Sequence, residues 1–390
     1  SRLYLNNGNG TFTDATASRM PVGIYRTTSL ALGDVDGDGD LDLVVGNGGI
    51  NAVWEQSRLY LNNGTGTFTD VTASRMPAGS YDTTSLALGD VDGDGDLDLV
   101  VGNYWGTQSL LYINNGTGTF TDATASRMPA GSYSTTSLAL GDVDGDGDLD
   151  LVVGNQGNPG GQSLLYLNNG TGTFTDATAS RMPVGSYITN SLVLGDMDGD
   201  GDLDLVVGNS SYYSGQSLLY LNNGTGTFTD ATASRIPAGY YNTNSLALGD
   251  VDGDGDLDLV LGNDARPSLL YQNLLRQLDA PYVLHSGRNY QLDIYSRYGP
   301  ATTTEIAIPF FATGTANIPL PPFGTIGIDP ARMIMLPPFL VPQPAGIGSL
   351  TIPVPNLPAL AGITFYTQVL LDQQPVQARL TNVVGDITLR

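Results

Sequence analysis

The sequence predicts an all-β protein: a propeller of about five to six four-stranded blades, followed by a small β-sandwich. Three observations carry this reading. An acidic nine-residue run, residues 34–42, returns four more times from Asp90, Asp142, Asp196 and Asp250, at steps of 56, 52, 54 and 54 residues, the spacing of solenoid repeats or propeller blades. Between the runs lie short alternating apolar stretches parted by Gly- and Asn-rich turns, which is a strand pattern. After Asn273 the period stops and a proline-punctuated sequence takes over.

Each repeat accounts for four strands. In the second, residues 85–88 (strand A) precede the acidic run, 97–101 (B) follow it, 109–113 (C) come next and 119–122 (D) close the unit. Asn115-Gly116 between C and D is a hairpin signal, because both residues tolerate the positive φ that tight turns need. In an antiparallel meander the A–B and C–D loops emerge at one end of the blade and the B–C and D–A loops at the other. The first pair is nearly constant here. The second varies, at residues 48–56, 104–108, 156–162 and 210–216 and at the residue after each of Tyr25, Tyr81, Tyr133, Tyr187 and Tyr241. One end is therefore uniform and acidic, and the other is diversified.

The strands do not close neatly. The chain opens with C and D (3–14), runs through four full units and ends its repeats with A, B and C (245–273). A ring closes if an N-terminal strand completes the last blade, leaving one C strand unpaired; alternatively, further blades precede this sequence, or the loose strand pairs with another copy. Opening at Ser1 inside a repeat suits a processed protein or a fragment. The expected domains are 1–273, a linker at 274–281, and a Pro-rich β-sandwich at 282–390. In the last, strands are expected at 290–295, 305–308, 349–352, 364–369 and 378–383, with Pro309, Pro319, Pro353 and Pro355 favouring edges and bends. Between residues 317 and 371 the only charges are Asp329 and Arg332, which suggests a surface covered by the propeller or by another subunit.

At 390 residues and 41% hydrophobic, the chain can bury a sizeable core. No apolar run reaches the roughly 18 residues that span a bilayer, and no basic, then apolar leader opens it. Cysteine is absent, so disulfides and thiolate sites are excluded. The net charge is −24, and the five runs supply 25 of the 39 acidic residues. Such a chain excludes nucleic acid as partner, since phosphate contacts need clustered basic residues. All fifteen basic residues are Arg, so Schiff-base chemistry is excluded too.

The runs read as metal loops. Oxygen ligands at alternate positions of a curled loop can converge on a calcium ion, which takes six to eight. Asp34, Asp36 and Asp38 stand at positions 1, 3 and 5, Gly39 permits the sharp turn, Asp40 offers its backbone carbonyl, and Asp42 at position 9 closes the shell. Five carboxylates in nine residues without a cation would repel one another strongly. Magnesium fits less well, because it demands strict octahedral geometry.

The pattern Asp-x-Asp-x-Asp-Gly-x-x-Asp between strands, followed by Leu-Val-Val-Gly-Asn and Leu-Tyr-Leu-Asn-Asn-Gly, resembles the FG-GAP/VCBS-like repeats, including the calcium-binding blades of integrin α-subunit propellers. The resemblance covers Ser1 to about Asn273. It implies five Ca2+ sites: Asp34, Asp36, Asp38, Asp40 and Asp42; Asp90, Asp92, Asp94, Asp96 and Asp98; Asp142, Asp144, Asp146, Asp148 and Asp150; Asp196, Asp198, Asp200, Asp202 and Asp204; Asp250, Asp252, Asp254, Asp256 and Asp258. Family propellers usually have seven blades, and five loops with a partial unit depart from that. The C-terminal region is similar to terminal β domains of large bacterial surface proteins, which implies a bacterial cell-surface origin.

Function is expected away from catalysis. Near-identical repeats supply symmetric sites, whereas an enzyme needs one asymmetric site, and the lone histidine, His285 beside Ser286, has no placed acid partner. The expected role is an extracellular, calcium-stabilised scaffold or adhesion protein that self-associates through its unpaired N-terminal strand and charge-poor C-terminal domain. The alternative is a lectin-like or protein-binding propeller that presents Trp54, Tyr104, Trp105, Tyr212 and Tyr213 on the diversified face; a lyase is a more distant one. Asn-Gly-Thr triplets at Asn63, Asn115, Asn169 and Asn223 match the N-glycosylation sequon, although the hairpin alone explains them.

Overall fold

A computed structural model describes residues 1–49, 54–157, 161–210, 215–252 and 256–273, together with shorter stretches between 278 and 389. It is all-β apart from one-turn helices. The described chain divides into two compact units. One comprises Ser1–Leu194, Leu203–Leu246 and Leu261–Ser268, and the other Gly195–Asp202, Ala247–Val260 and Leu269–Arg390.

The repeats form antiparallel sheets in the order A-B-C-D. The first contains Thr27–Gly33, Asp42–Asn47, Arg58–Asn62 and Phe68–Asp70; the second Thr83–Gly89, Asp98–Asn103, Leu110–Asn114 and Phe120–Asp122. Thr135–Gly141, Asp150–Asn155, Leu164–Leu167 and Thr175–Asp176 make the third, and Thr189–Gly195, Asp204–Asn209, Leu218–Leu221 and Thr229–Asp230 the fourth. A three-stranded sheet (Thr243–Gly249, Asp258–Asn263, Leu269–Tyr271) follows, and a two-stranded one (Tyr4–Asn6, Phe12–Asp14) precedes them. This is the blade pattern the period predicts.

Strand B is the buried centre of each blade. All six residues of Asp42–Asn47 and their counterparts in the second to fourth blades are buried, which is why Leu-Val-Val runs without alternation. Cores lie between successive blades: Val35, Val44 and Leu59 of the first pack with Leu99, Val101, Tyr112 and Phe120 of the second. The same packing joins the second blade to the third and the third to the fourth. Thr28, Thr84 and Thr136 stitch neighbouring A strands, each hydroxyl donating to a carbonyl of the next blade (Thr83, 2.5 Å; Thr135, 2.6 Å; Thr189, 2.6 Å).

The sequence reading misses one element. A single helical turn follows each D strand, at Thr72–Arg75, Thr124–Arg127 and Thr178–Arg181 among others. Asp70 starts it by accepting the Thr72 N–H (3.0 Å), while the Thr72 hydroxyl accepts the N–H of Leu59 on strand C (2.9 Å). The local Asp-x-Thr turn thus replaces the coil expected there.

In the second unit, Asn289–Tyr295 pairs with Leu278–Asp279 and Ile347–Pro353. A larger sheet orders Val283–Leu284, Val384–Leu389, Thr364–Asp372, Glu305–Ala312 and Met333–Met335. Phe339–Val341 also pairs with Glu305–Ala312, and Arg379–Leu380 with Thr364–Asp372. Thr315–Pro319 pairs with Thr325–Ile328. The strand expected to stop at residue 308 continues through Pro309. On one side Pro309 faces Val369; on the other it sits between the segments paired with Phe339–Val341 and Met333–Met335, where no ladder N–H is required of it. Val384–Leu389 is a strand the sequence reading did not separate. Among the described residues no helix is long and apolar enough to cross a membrane.

Candidate functional site

The acidic loops are built from their first aspartate. Asp34 Oδ1 accepts the N–H groups of Gly37 (2.8 Å) and Asp38 (3.2 Å), and its Oδ2 accepts that of Gly39 (2.9 Å). Gly37 and Gly39 take φ of 74° and 91°, a region closed to most side chains. The last aspartate anchors the loop to the sheet. Asp42 is fully buried, and its oxygens accept the N–H groups of Val35 (3.1 Å) and Asn62 (2.8 Å). The second and third loops repeat these contacts. Asp196 builds the same turn with Gly199 and Gly201, and Asp258 accepts from Val251 (2.9 Å) and Asn273 (2.7 Å).

Carboxylate oxygens converge in these loops. Those of Asp34, Asp36 and Asp42 lie within 4.8 Å of one another, as do those of Asp90, Asp92 and Asp94, of Asp142, Asp144 and Asp146, of Asp196, Asp198 and Asp204, and of Asp250, Asp252 and Asp258. In the first three loops one oxygen is left over: Oδ1 of Asp36, Asp92 and Asp144 is buried with no hydrogen-bond partner. A buried, unpaired oxygen on an aspartate clustered with other carboxylates is what a cation would satisfy, so these residues fit a divalent metal. Burial pushes Asp98 and Asp150 up to about 6, against the backbone hydrogen bonds that lower them and alongside neighbouring aspartates that raise them. Asp42, Asp36 and Asp144 shift upward too, again chiefly by burial.

The carboxylate of Asp40 turns away to the C–D hairpin: a Cβ on Gly64 would stand 2.5 Å from its Oδ2. That leaves the backbone carbonyl as its means of reaching an ion, and Asp96 and Asp148 sit over Gly116 and Gly170 in the same way. Asp254 lies outside the described residues, as do His285, Tyr212 and Tyr213.

Sequence reasoning missed the arginines. Arg127, from the helical turn, reaches Asp92 Oδ2 (3.0 Å) and donates to the Thr171 carbonyl of the next blade's hairpin (2.8 Å). Arg75 lies 3.8 Å from Asp36 and donates to Thr117; Arg181 lies 3.7 Å from Asp144 and donates to Thr225. The signal was present, since Thr-Ala-Ser-Arg recurs in register with the acidic loops.

At the diversified end, Trp54, Tyr104 and Trp105 line one open cavity with Arg26, Asp82 and Gln156. Its variable loops are clamped at both ends. Asn47 donates to the Gln56 carbonyl (2.9 Å) and Gln56 to that of Pro77 (3.1 Å); Asn103, Gln108 and Pro129 repeat the clamp, as do Asn155, Gln162 and Pro183. Loops of different length thus leave and re-enter one frame.

The sheets and loops define a blade-repeat protein whose A–B loops can hold divalent metal. The chain belongs to the FG-GAP-like repeat family, whose pattern matches residues 1–45, 50–101, 90–153, 150–207 and 199–261. It is similar to integrin alpha-V of Gallus gallus (28% identity over 226 residues, 50% of this chain and 22% of that one). It is also similar to cartilage acidic protein 1 of Xenopus tropicalis (28% over 184 residues, 46% and 28%) and of Homo sapiens (24% over 263 residues, 64% and 40%). The matches thus span between about a fifth and two fifths of these relatives' own length.

Proposed function

We propose that the protein is a non-enzymatic, extracellular scaffold of adhesion type whose blades are held rigid by calcium, one ion per acidic loop. The ligands in each loop are the aspartates at positions 1, 3, 5 and 9 and the carbonyl at position 7, as in Asp34, Asp36, Asp38, Asp42 and Asp40. The observation that carries this is the unpaired buried oxygen of Asp36, repeated at Asp92 and Asp144. All-oxygen donors favour calcium, and calcium abundant enough to fill such sites constitutively is found outside cells. Likeness to proteins named integrin and cartilage acidic protein supports an adhesive setting. Repeated, saturated carboxylate sites argue against catalysis. Thermal unfolding followed by circular dichroism tests the reading. Excess EDTA should lower Tm by at least about 10 °C and added calcium should restore it, since each filled site contributes about 2.7 kcal/mol at a hundredfold excess over Kd; superimposable curves would refute it.

Self-association is favoured by a separate observation. Leu30, Leu32 and Leu41 of the first blade are exposed, whereas their counterparts Leu86, Leu88 and Leu97 pack into the core between blades. In the following blades these positions are covered by a neighbouring blade, and a blade of a second copy would cover them here.

A further inference from the structure

We propose that the cavity at the diversified end is a binding site for a neutral oligosaccharide, a role that does not depend on the calcium reading. Its volume is about 1210 Å³, above the roughly 300–1,000 Å³ of ordinary small-molecule pockets, so it suits several linked sugar rings. Three features point to saccharide. The first is exposed aromatic surface: Trp105 is 68% and Trp54 41% exposed, and indole faces left open inside a concavity offer stacking area to the C–H faces of a pyranose. The second is conformational. Trp105 is held at φ 58°, a left-handed conformation costly for a bulky residue, and its ring meets Tyr104 edge-on at 5.4 Å. Tyr104 is itself fixed, its hydroxyl donating to Gln156 Oε1 (3.0 Å). Strain that presents a tryptophan to solvent, against a locked neighbour, serves a ligand better than it serves the fold.

The third feature is the polar inventory. The Gln156 amide has one side engaged by Tyr104, and its NH2 makes no hydrogen bond among the described residues. Arg26 is anchored through Nη1 to the Gly49 carbonyl, which leaves other guanidinium donors for a ligand. Asp82 Oδ1 accepts the Gly49 N–H (2.6 Å), and its second oxygen is not engaged by any described residue. Planar donors and an acceptor set beside aromatic faces match the paired hydroxyls of a sugar. One Arg and one Asp balance locally, and a chain of net charge −24 would repel a polyanion, so a neutral glycan is favoured over an acidic one.

The protein has two tryptophans in all, and both line this cavity, so intrinsic tryptophan fluorescence reports on the cavity alone. The calcium-loaded full chain is titrated with cellohexaose, xylohexaose, mannohexaose and maltohexaose, and separately with hexagalacturonate and an Arg-containing peptide. A saturable change with at least one neutral hexasaccharide is expected. It should weaken about tenfold or more in Trp105→Gly, which removes the ring yet suits the backbone, and less in Trp105→Phe. Gln156→Ala should weaken it as well, with Tm in calcium not lowered in any of the three variants. No response to any of the four neutral sugars, undiminished binding in Trp105→Gly, or a response to hexagalacturonate or the peptide alone would each overturn the proposal. Failure of the EDTA experiment, by contrast, would remove the calcium scaffold without touching this site.

Discussion

At the scale of single residues, the aspartates of the acidic loops divide the work of building turn and sheet. Asp34 and Asp38 spend oxygens on the N–H groups of their own turn, as surface Asx residues do. Asp42, Asp98 and Asp150 are fully buried and join loop to sheet. Asp98→Asn should therefore cost about 2 kcal/mol without metal, because one hydrogen bond from a backbone donor to a charged acceptor is lost, and more in calcium, where a ligand goes too; chemical denaturation in EDTA and at fixed calcium measures both. The pH response follows from the same residues. Asp98 and Asp150, raised from about 3.8 to about 6 in the folded chain, bind more protons folded than unfolded between those values. Their contribution is complete below pH ~4 and is lost as pH rises through about 6. The metal-free protein should thus melt higher at pH 5 than at pH 7. With calcium the order should reverse, because protons then compete with the ion. Parallel melts at the two pH values, with EDTA and with calcium, separate the cases.

At the scale of the element, a blade is a cassette whose constant parts hold variable ones. The helical turn after strand D delivers Arg127 between Asp92 and the next blade's hairpin, so it supplies positive charge to the loop and a link to the neighbour. Asn114 does the same work from strand C, donating to the Val35 carbonyl of the preceding loop (2.7 Å). Arg127→Gln should lower the metal-free Tm, as the blade link weakens and carboxylate repulsion grows. It should also raise the calcium affinity of that loop, as a competing cation leaves. Isothermal titration with calcium, beside EDTA melts, reads both, and affinity that fell together with Tm would show the arginine to be a metal-site support instead. Little of this element was legible. Thr-Ala-Ser-Arg was visible as a repeat, but nothing in four residues tells that Thr124 binds strand C or that the arginine crosses to another blade.

At the scale of the molecule, charge dominates. Five bound calcium ions would reduce the net charge from −24 to about −14, so chelation should both destabilise and expand the chain; small-angle scattering with and without EDTA checks the second effect. The exposed Leu30, Leu32 and Leu41 set the expectation for association. Light scattering in calcium should show mass rising with concentration, and Leu32→Asp should abolish the rise without altering Tm. A mass independent of concentration in the parent protein would refute association through this face.

Periodicity alone determined the blades, because a 54-residue step with two turn signals and alternating apolar residues leaves few other antiparallel arrangements. The aspartate spacing alone marked the loops, because ligand chemistry depends on local geometry within nine residues. It also separated a constant face from a variable one, since that follows from meander topology. Only the tertiary structure decided which oxygens are spare. Asp36 Oδ1 is buried and unpaired, while its other oxygen lies 3.8 Å from Arg75 of a different element. Only the tertiary structure brought Trp54 and Trp105, from different blades, into one cavity with Arg26. Such contacts join residues tens of positions apart, and sequence patterns record periodicity along the chain, not proximity across it.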